Sequence, residues 1–342
     1  MKSIKSVQQQ SLEFVVLLLG ATLLVAALSL MPVFDYYIYV EGARAWMAGS
    51  SRLYDPQAAG FYYAPWAMVL LVPLSFLPNN VSQAIVNLLS ALAMVWSVRA
   101  LVPTASKNVL ALALLSPWML NLLLIGQWDC FIIAGLVAAW IAVQRKQPWW
   151  LGMALLVVAT KPTYALIGVL LVLSCLRDWH WREGLKMLVL PLLVGVGSLL
   201  IFGWDWPLRY LFFVRDNPPE AYSIAVRTMF GLPLTLLIAA LLGIWWIWRP
   251  RSFGLHHEDI MLALLMNLII SPYLSTYHLV VALPAHAWVM RRSWVLGLAL
   301  SGYAFFAFTL FFLRISLLPS TLYLLGLMIL MLIMWHKERH AA

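Results

Sequence analysis

Asp35 is a lone carboxylate four residues beyond a 20-residue apolar run, Leu12–Met31. Around it lie Tyr36, Tyr37, Tyr39, Glu41, Arg44, Trp46, Arg52, Tyr54 and Asp55, then Tyr62 and Tyr63. A carboxylate at the water–lipid boundary, partly dehydrated by a helix end and aromatic rings, has the position of a general base. It could take the proton of a hydroxyl attacking an electrophilic carbon. The competing reading is an N-cap for a short helix beginning at Tyr36. Asp55, in Tyr54-Asp55-Pro56, reads as a turn residue. Glu41 and Arg44, three apart, read as a helical surface pair.

Lys161 stands near the middle of an apolar stretch, 149–176. An ionisable residue inside such a stretch is costly and by default marks a function. Directed outward, its ammonium could neutralise a phosphate at the membrane surface; the alternative is a lysine that snorkels to an interface. His278, in Ser271-Pro272-Tyr273-Leu274-Ser275-Thr276-Tyr277-His278, could hydrogen-bond a phosphate or orient an acid, and equally could be a structural histidine. Arg215 and Arg227 could grip phosphate or be ordinary exposed arginines. Gln127, in Gly126-Gln127-Trp128-Asp129, is an amide beside an outer helix end. The sequence holds no Walker loop, GxGxxG, HExxH or zinc-ligand spacing, and its acids form no evident metal pair. Cys130 and Cys175 lie in apolar runs and form no ligand pattern.

The elements that must position these residues are membrane helices. Of the 342 residues 64% are hydrophobic and 10% charged, against about a quarter charged in soluble domains. The chain is therefore expected to be all-α, one polytopic integral membrane domain over 1–342. Its net charge of +9 comes in small clusters between apolar runs, the pattern of membrane loops and not of a nucleic-acid stripe. The runs are 12–31, 64–78, 82–100, 108–125, 128–144, 149–160, 163–176, 185–203, 232–248, 259–273, 276–290, 294–312 and 319–335. Run 64–78 is too short to cross and carries Pro65, Pro73 and Pro78. If it stays on the outer side, 15 of the 22 Lys and Arg residues face the cytoplasm, as the positive-inside rule requires. That arrangement has about twelve transmembrane helices and both termini in the cytoplasm. The polar stretches 32–63 and 204–231 are then outer loops. The short pairs 149–160 with 163–176, and 259–273 with 276–290, could be hairpins whose broken tips line a polar cavity.

Four segments in order resemble the polyprenol-phosphate-sugar-dependent glycosyltransferases of the C-type fold, and most closely glycosyltransferase family 87, which includes α-mannosyltransferases. The first is Phe34-Asp35-Tyr36-Tyr37 through Ala43, Ala45, Gly49 and Tyr54-Asp55 to Phe61-Tyr62-Tyr63-Ala64-Pro65. The others are Ser116-Pro117 leading to Gly126-Gln127, a small-residue helix from Gly152 to Lys161-Pro162, and Ser271-Pro272 through His278 to Pro284. Where the family has an asparagine or a similar residue after Gly-Gln, this chain has Trp128. The resemblance covers about residues 12–290, and the C-terminal helices within 291–342 carry nothing specific.

The resemblance implies a large first outer loop bearing Asp35 as the catalytic base, with the 204–231 loop helping to close the site. It implies transfer of a hexose, mannose foremost, from a polyprenyl-phosphate donor with inversion. Lys161, His278 and Arg227 would hold the donor phosphate, and Tyr36, Tyr37, Tyr63 and Gln127 would line the sugar and acceptor site. The acceptor would be a glycan, glycolipid or protein at the outer face of the inner (plasma) membrane. No cofactor or metal is expected, since a lipid phosphate leaves with fewer charges than a nucleotide diphosphate. The competing functions are a transporter or flippase of lipid-linked sugars, which needs cations but no base, and a non-catalytic subunit of an envelope assembly complex.

Overall fold

The computed structural model describes residues 22–49, 53–54, 61–161, 166–174, 176, 179–216, 223–248 and 256–341. Among these every regular element is helical. A helical stretch over 22–28 (α1) precedes Tyr36–Met47 (α2), and the expected outer loop is thus helical in part. A 3-10 turn, Pro65–Ala67, leads into Met68–Ser75 (α3). The two pieces, about 16 Å long at 1.5 Å per residue, are far short of a hydrocarbon core of about 30 Å.

Asn79–Leu101 (α4), Lys107–Leu114 (α5), Pro117–Ile125 (α6), Asp129–Gln144 (α7), Pro148–Ala159 (α8), Leu166–Ser174 (α9) and Trp181–Phe202 (α10) follow. Then come Trp206–Asp216 (α11), Val226–Phe230 (α12), Leu232–Trp248 (α13), His257–Ile270 (α14), Leu283–Arg292 (α15), Trp294–Phe312 (α16) and Leu318–Ala341 (α17). A second 3-10 segment, Thr276–Ala282, runs directly into α15.

Among the described residues four helices are long and apolar enough to cross a membrane: α4, α10, α16 and the Leu318–Lys337 part of α17. A fifth crossing results if α5 and α6, bent by 49° at Leu115–Ser116, form one broken span. Runs and helices differ in length in both directions: run 82–100 lies within a helix of 23 residues, and all of run 185–203 but its last residue lies within one of 22. Runs 128–144, 149–160 and 163–176 yield helices of 16, 12 and 9 residues.

Two apolar clusters organise the molecule. The larger joins α4 through α9 to α14–α17. At its centre α14 is buried without interruption from Asp259 to Ile269, which is why that segment is apolar on all sides. α7 packs between α4 and α8, and α8 also lies against α10. There Gly152 permits the close approach, because a Cβ would run into the Met187 carbonyl. The smaller cluster caps one end and gathers Tyr36, Tyr39, Tyr54, Phe61, Tyr63 and Trp128 with Phe202 and Phe213.

α11 belongs to that cap. Tyr54 meets Tyr210 with ring centroids 5.2 Å apart, and Tyr62 meets Phe213 at 4.9 Å. The stretch expected as a polar outer loop over 204–231 therefore contains an amphipathic helix seated on the first loop. Its returning end is tied down elsewhere. The Ile224 amide donates to the Leu274 carbonyl at 2.6 Å, the Leu274 amide donates to Ser223 Oγ at 3.2 Å, and Thr321 Oγ1 donates to the Ile224 carbonyl at 2.7 Å. α17, to which the sequence assigned nothing specific, thus helps anchor the 223–226 segment.

Candidate active site

Asp35 occupies the position before α2 but makes no capping hydrogen bond with its side chain, and its backbone is already helical at φ −59° and ψ −21°. The capping alternative is thereby removed. Its carboxylate turns to the amide of Gln127, whose Nε2 donates to Asp35 Oδ2 at 3.3 Å. A carboxylate can only accept, so the amide must present its nitrogen there. The amide oxygen then faces two donors: Tyr63 OH at 3.2 Å and Lys161 Nζ at 3.3 Å.

Gln127 reaches this position because α6 ends in a left-handed glycine. Gly126 has φ +81° and ψ +38°, a conformation costing other residues about 1–2 kcal/mol. A Cβ there would lie 2.6 Å from Tyr36 Cβ. The carbonyls at the end of α6 are taken by buried amides on α4: Gln83 donates to the Leu123 and Leu124 carbonyls, and Asn87 to that of Leu123.

Lys161 lies just beyond the end of α8, where the Ala64 amide donates to the Thr160 carbonyl at 3.0 Å and so joins this break to the first-loop segment. Its side chain is 12% exposed. Nζ lies 3.4 Å from Asp129 Oδ2, and Asp129 is completely buried. The same nitrogen sits 5.4 Å above the Tyr63 ring and 5.5 Å from that of Tyr277. Asp129 was not among the candidates read from the sequence. The signal that could have found it was the lysine itself: a buried ammonium needs a buried counter-charge, and Asp129 stands at the start of an apolar run beside Gln127.

His278 is fully buried in the 3-10 segment, its ring centroid 4.1 Å from Tyr277 and 5.7 Å from Tyr273. It is near enough to feel the Lys161 charge. Tyr63 is buried in the cluster, with the ring of Tyr39 4.8 Å away. Tyr36 is buried against Gly126, whereas Tyr37 is 47% exposed. Arg227 is exposed on α12, and no hydrogen bond or ion pair links it to the Lys161 group among the described residues. Arg215, exposed, pairs with its neighbour Asp216 at 2.7 Å. Arg44 pairs with Glu41 as expected and also donates to the Ser75 and Leu77 carbonyls, fixing α2 to the end of α3. Asp55, Arg52, Pro162 and Cys175 lie outside the described residues.

The two carboxylates differ in setting. Asp35 remains open to solvent on one side. Packing on the other pushes its carboxyl above the ordinary range, while the Gln127 hydrogen bond and the Lys161 charge pull it back. The arrangement offers an accessible base, an ammonium for an anion and aromatic walls between them. Beside it, an apolar cavity of about 440 Å³ opens between the Pro65–Ser75 segment and α10. Trp46, Trp66, Val69, Ile201 and Phe202 are among its walls. Trp66 is fixed there by donating from Nε1 to the Leu156 carbonyl at 3.2 Å.

The sequence model of glycosyltransferase family 87 matches residues 61–321, and the chain belongs to that family of membrane glycosyltransferases. Gln127, Asp129, Lys161, Arg227 and His278 fall within the matched span, which begins after Asp35. No curated protein and no solved structure matches the chain.

Proposed function

For this member of glycosyltransferase family 87, we propose transfer of a hexose, mannose foremost, from a polyprenyl phosphate to an acceptor hydroxyl at the outer face of the inner (plasma) membrane. The observation that carries the reading is the Asp35–Gln127–Lys161 arrangement, in which one buried amide spans an open carboxylate and an ammonium. The acceptor oxygen attacks the anomeric carbon as the bond from that carbon to the phosphate oxygen breaks. The hydroxyl proton passes to Asp35, and the electron pair leaves with the phosphate. Attack opposite the leaving group inverts the anomeric centre.

The phosphate goes from a singly charged diester toward a doubly charged monoester, so cationic contact strengthens as the reaction proceeds. That is the condition under which an electrostatic contact speeds the chemical step. Lys161 is the ammonium for this task, with His278 beside it. Arg227, on α12 beside the segment anchored at Ser223, would add to it only by reaching in when donor is bound. Tyr36, Tyr37 and Tyr63 belong to the sugar and acceptor side. The apolar cavity beside Trp66 suits the first isoprene units of the donor lipid, because Pro65, the residue after Ala64, is in its wall and it has almost no polar lining. The topology of about twelve crossings in a C-type fold, with both termini in the cytoplasm, belongs to the same reading.

The test is purified protein supplied with labelled polyprenyl-phosphate mannose or glucose and a crude lipid and glycan extract. Label should enter the acceptor fraction with wild-type protein. With Asp35→Asn it should fall by about 10²–10⁴-fold, the usual loss of a general base, while donor binding persists. Near-normal transfer by Asp35→Asn would remove Asp35 as the base. Absence of transfer from every such donor would remove the donor class.

A further inference from the structure

We propose that Asp129 is a positioning residue for the transfer: it fixes the Lys161 ammonium at the place where the leaving phosphate develops charge. This rests on the reading of Lys161 as the phosphate contact. Asp129 is the first residue of α7 and is completely buried. An acid in a helix's first turn gains a little from the helix dipole. That gain is too small to explain a sealed carboxylate, because burying a charge is tolerated only when it is paired. Its partner is Lys161, 3.4 Å from Oδ2, and Oδ1 has no hydrogen-bond partner among the described residues.

Two carboxylates therefore converge on one ammonium by different routes. Asp35 acts through the Gln127 amide and stays open to solvent; Asp129 touches Lys161 directly and no solvent reaches it. A substrate hydroxyl can approach the first and not the second, so Asp129 is no base. What it supplies is placement. Nζ is held between Asp129 Oδ2 and Gln127 Oε1 before donor arrives, and a cation oriented in advance costs no reorganisation when the bond to the sugar breaks. The phosphate's contact with this nitrogen matters more in the transition state than in the bound donor. Misplacing it should lower kcat and leave donor KM little changed.

Asp129→Glu separates placement from mere charge pairing. The longer carboxylate preserves the ion pair, so the protein should fold and melt as wild type does. It moves the ammonium by roughly one methylene, and a displacement of about 1 Å can cost about 10²-fold in rate. The expected result is kcat reduced by about 10–100-fold with donor KM nearly unchanged. In Lys161→Gln, which keeps a hydrogen bond to Asp129 without the charge, adding Asp129→Glu should cause no further loss. An unchanged kcat in Asp129→Glu overturns the proposal, as does a loss that persists in full on the Lys161→Gln background. If Lys161→Gln itself transfers normally, the phosphate role of Lys161 fails and the proposal fails with it. An inactive Lys161→Gln with a fully active Asp129→Glu sinks the proposal alone.

Discussion

Asp35 and Lys161 are bound to opposite ends of one side-chain amide, that of Gln127, at 3.3 Å on each side. The amide stands between the Asp35 carboxylate and the Lys161 ammonium and transmits the position of one to the other; the direct ion pair of Lys161 is with Asp129.

Activity should fall as the pH drops through the raised titration of Asp35, because only the ionised carboxylate accepts the hydroxyl proton. Gln127→Met removes the hydrogen bond that opposes this shift. The acid limb of kcat/KM should therefore move to higher pH in that variant, which a pH–rate profile checks. The same shift has a stability consequence. A carboxyl whose folded value lies above its unfolded value favours the folded state most at low pH, below the unfolded value. That contribution is lost as pH rises through the folded value. At neutral pH Asp35→Asn should thus be at least as stable as wild type, and a marked loss of melting temperature would contradict this.

Gly126→Ala should damage the site without touching substrate. The left-handed backbone costs alanine about 1–2 kcal/mol, and the new Cβ meets Tyr36 at 2.6 Å. Either α6 frays or Tyr36 retreats, and Gln127 shifts with it. Lower thermal stability together with reduced kcat is expected. Wild-type values for both would mean that the turn does not set Gln127.

Chelation with EDTA should leave transfer unchanged, because the proposed counter-charge for the leaving phosphate is the Lys161 ammonium. Restoration by added Mg²⁺ or Mn²⁺ after a chelator-induced loss would show that a divalent ion shares the task.

Sidedness follows from the 15-to-7 division of basic residues. In a background with Cys130 and Cys175 replaced by serine, Asp216→Cys on α11 should react with an impermeant thiol reagent from outside. Arg145→Cys, after α7, should react only when the membrane is opened. Reversal of both results would invert the topology and place the Asp35 site in the cytoplasm.

The sequence by itself determined the class of the molecule and the short inventory of polar side chains from which a site could be built. Long apolar runs exclude a soluble fold on composition alone. A lysine amid apolar residues, a carboxylate just beyond a helix and Gly126-Gln127 stand out against such a background. Sequence spacing also reads what is local, such as the Glu41–Arg44 pair one helical turn apart. Only the tertiary structure decided which candidates meet. Gln127 and Asp35 are 92 residues apart, and Lys161 lies 34 from Gln127 and 32 from Asp129. Such contacts are set by where helices break and how they pack, at Gly126, after α8 and between α7 and α8, and no periodicity encodes them. For the same reason the chain alone could not show that Asp35 does not cap α2, that Asp129 carries the counter-charge, or that α11 folds onto the first loop.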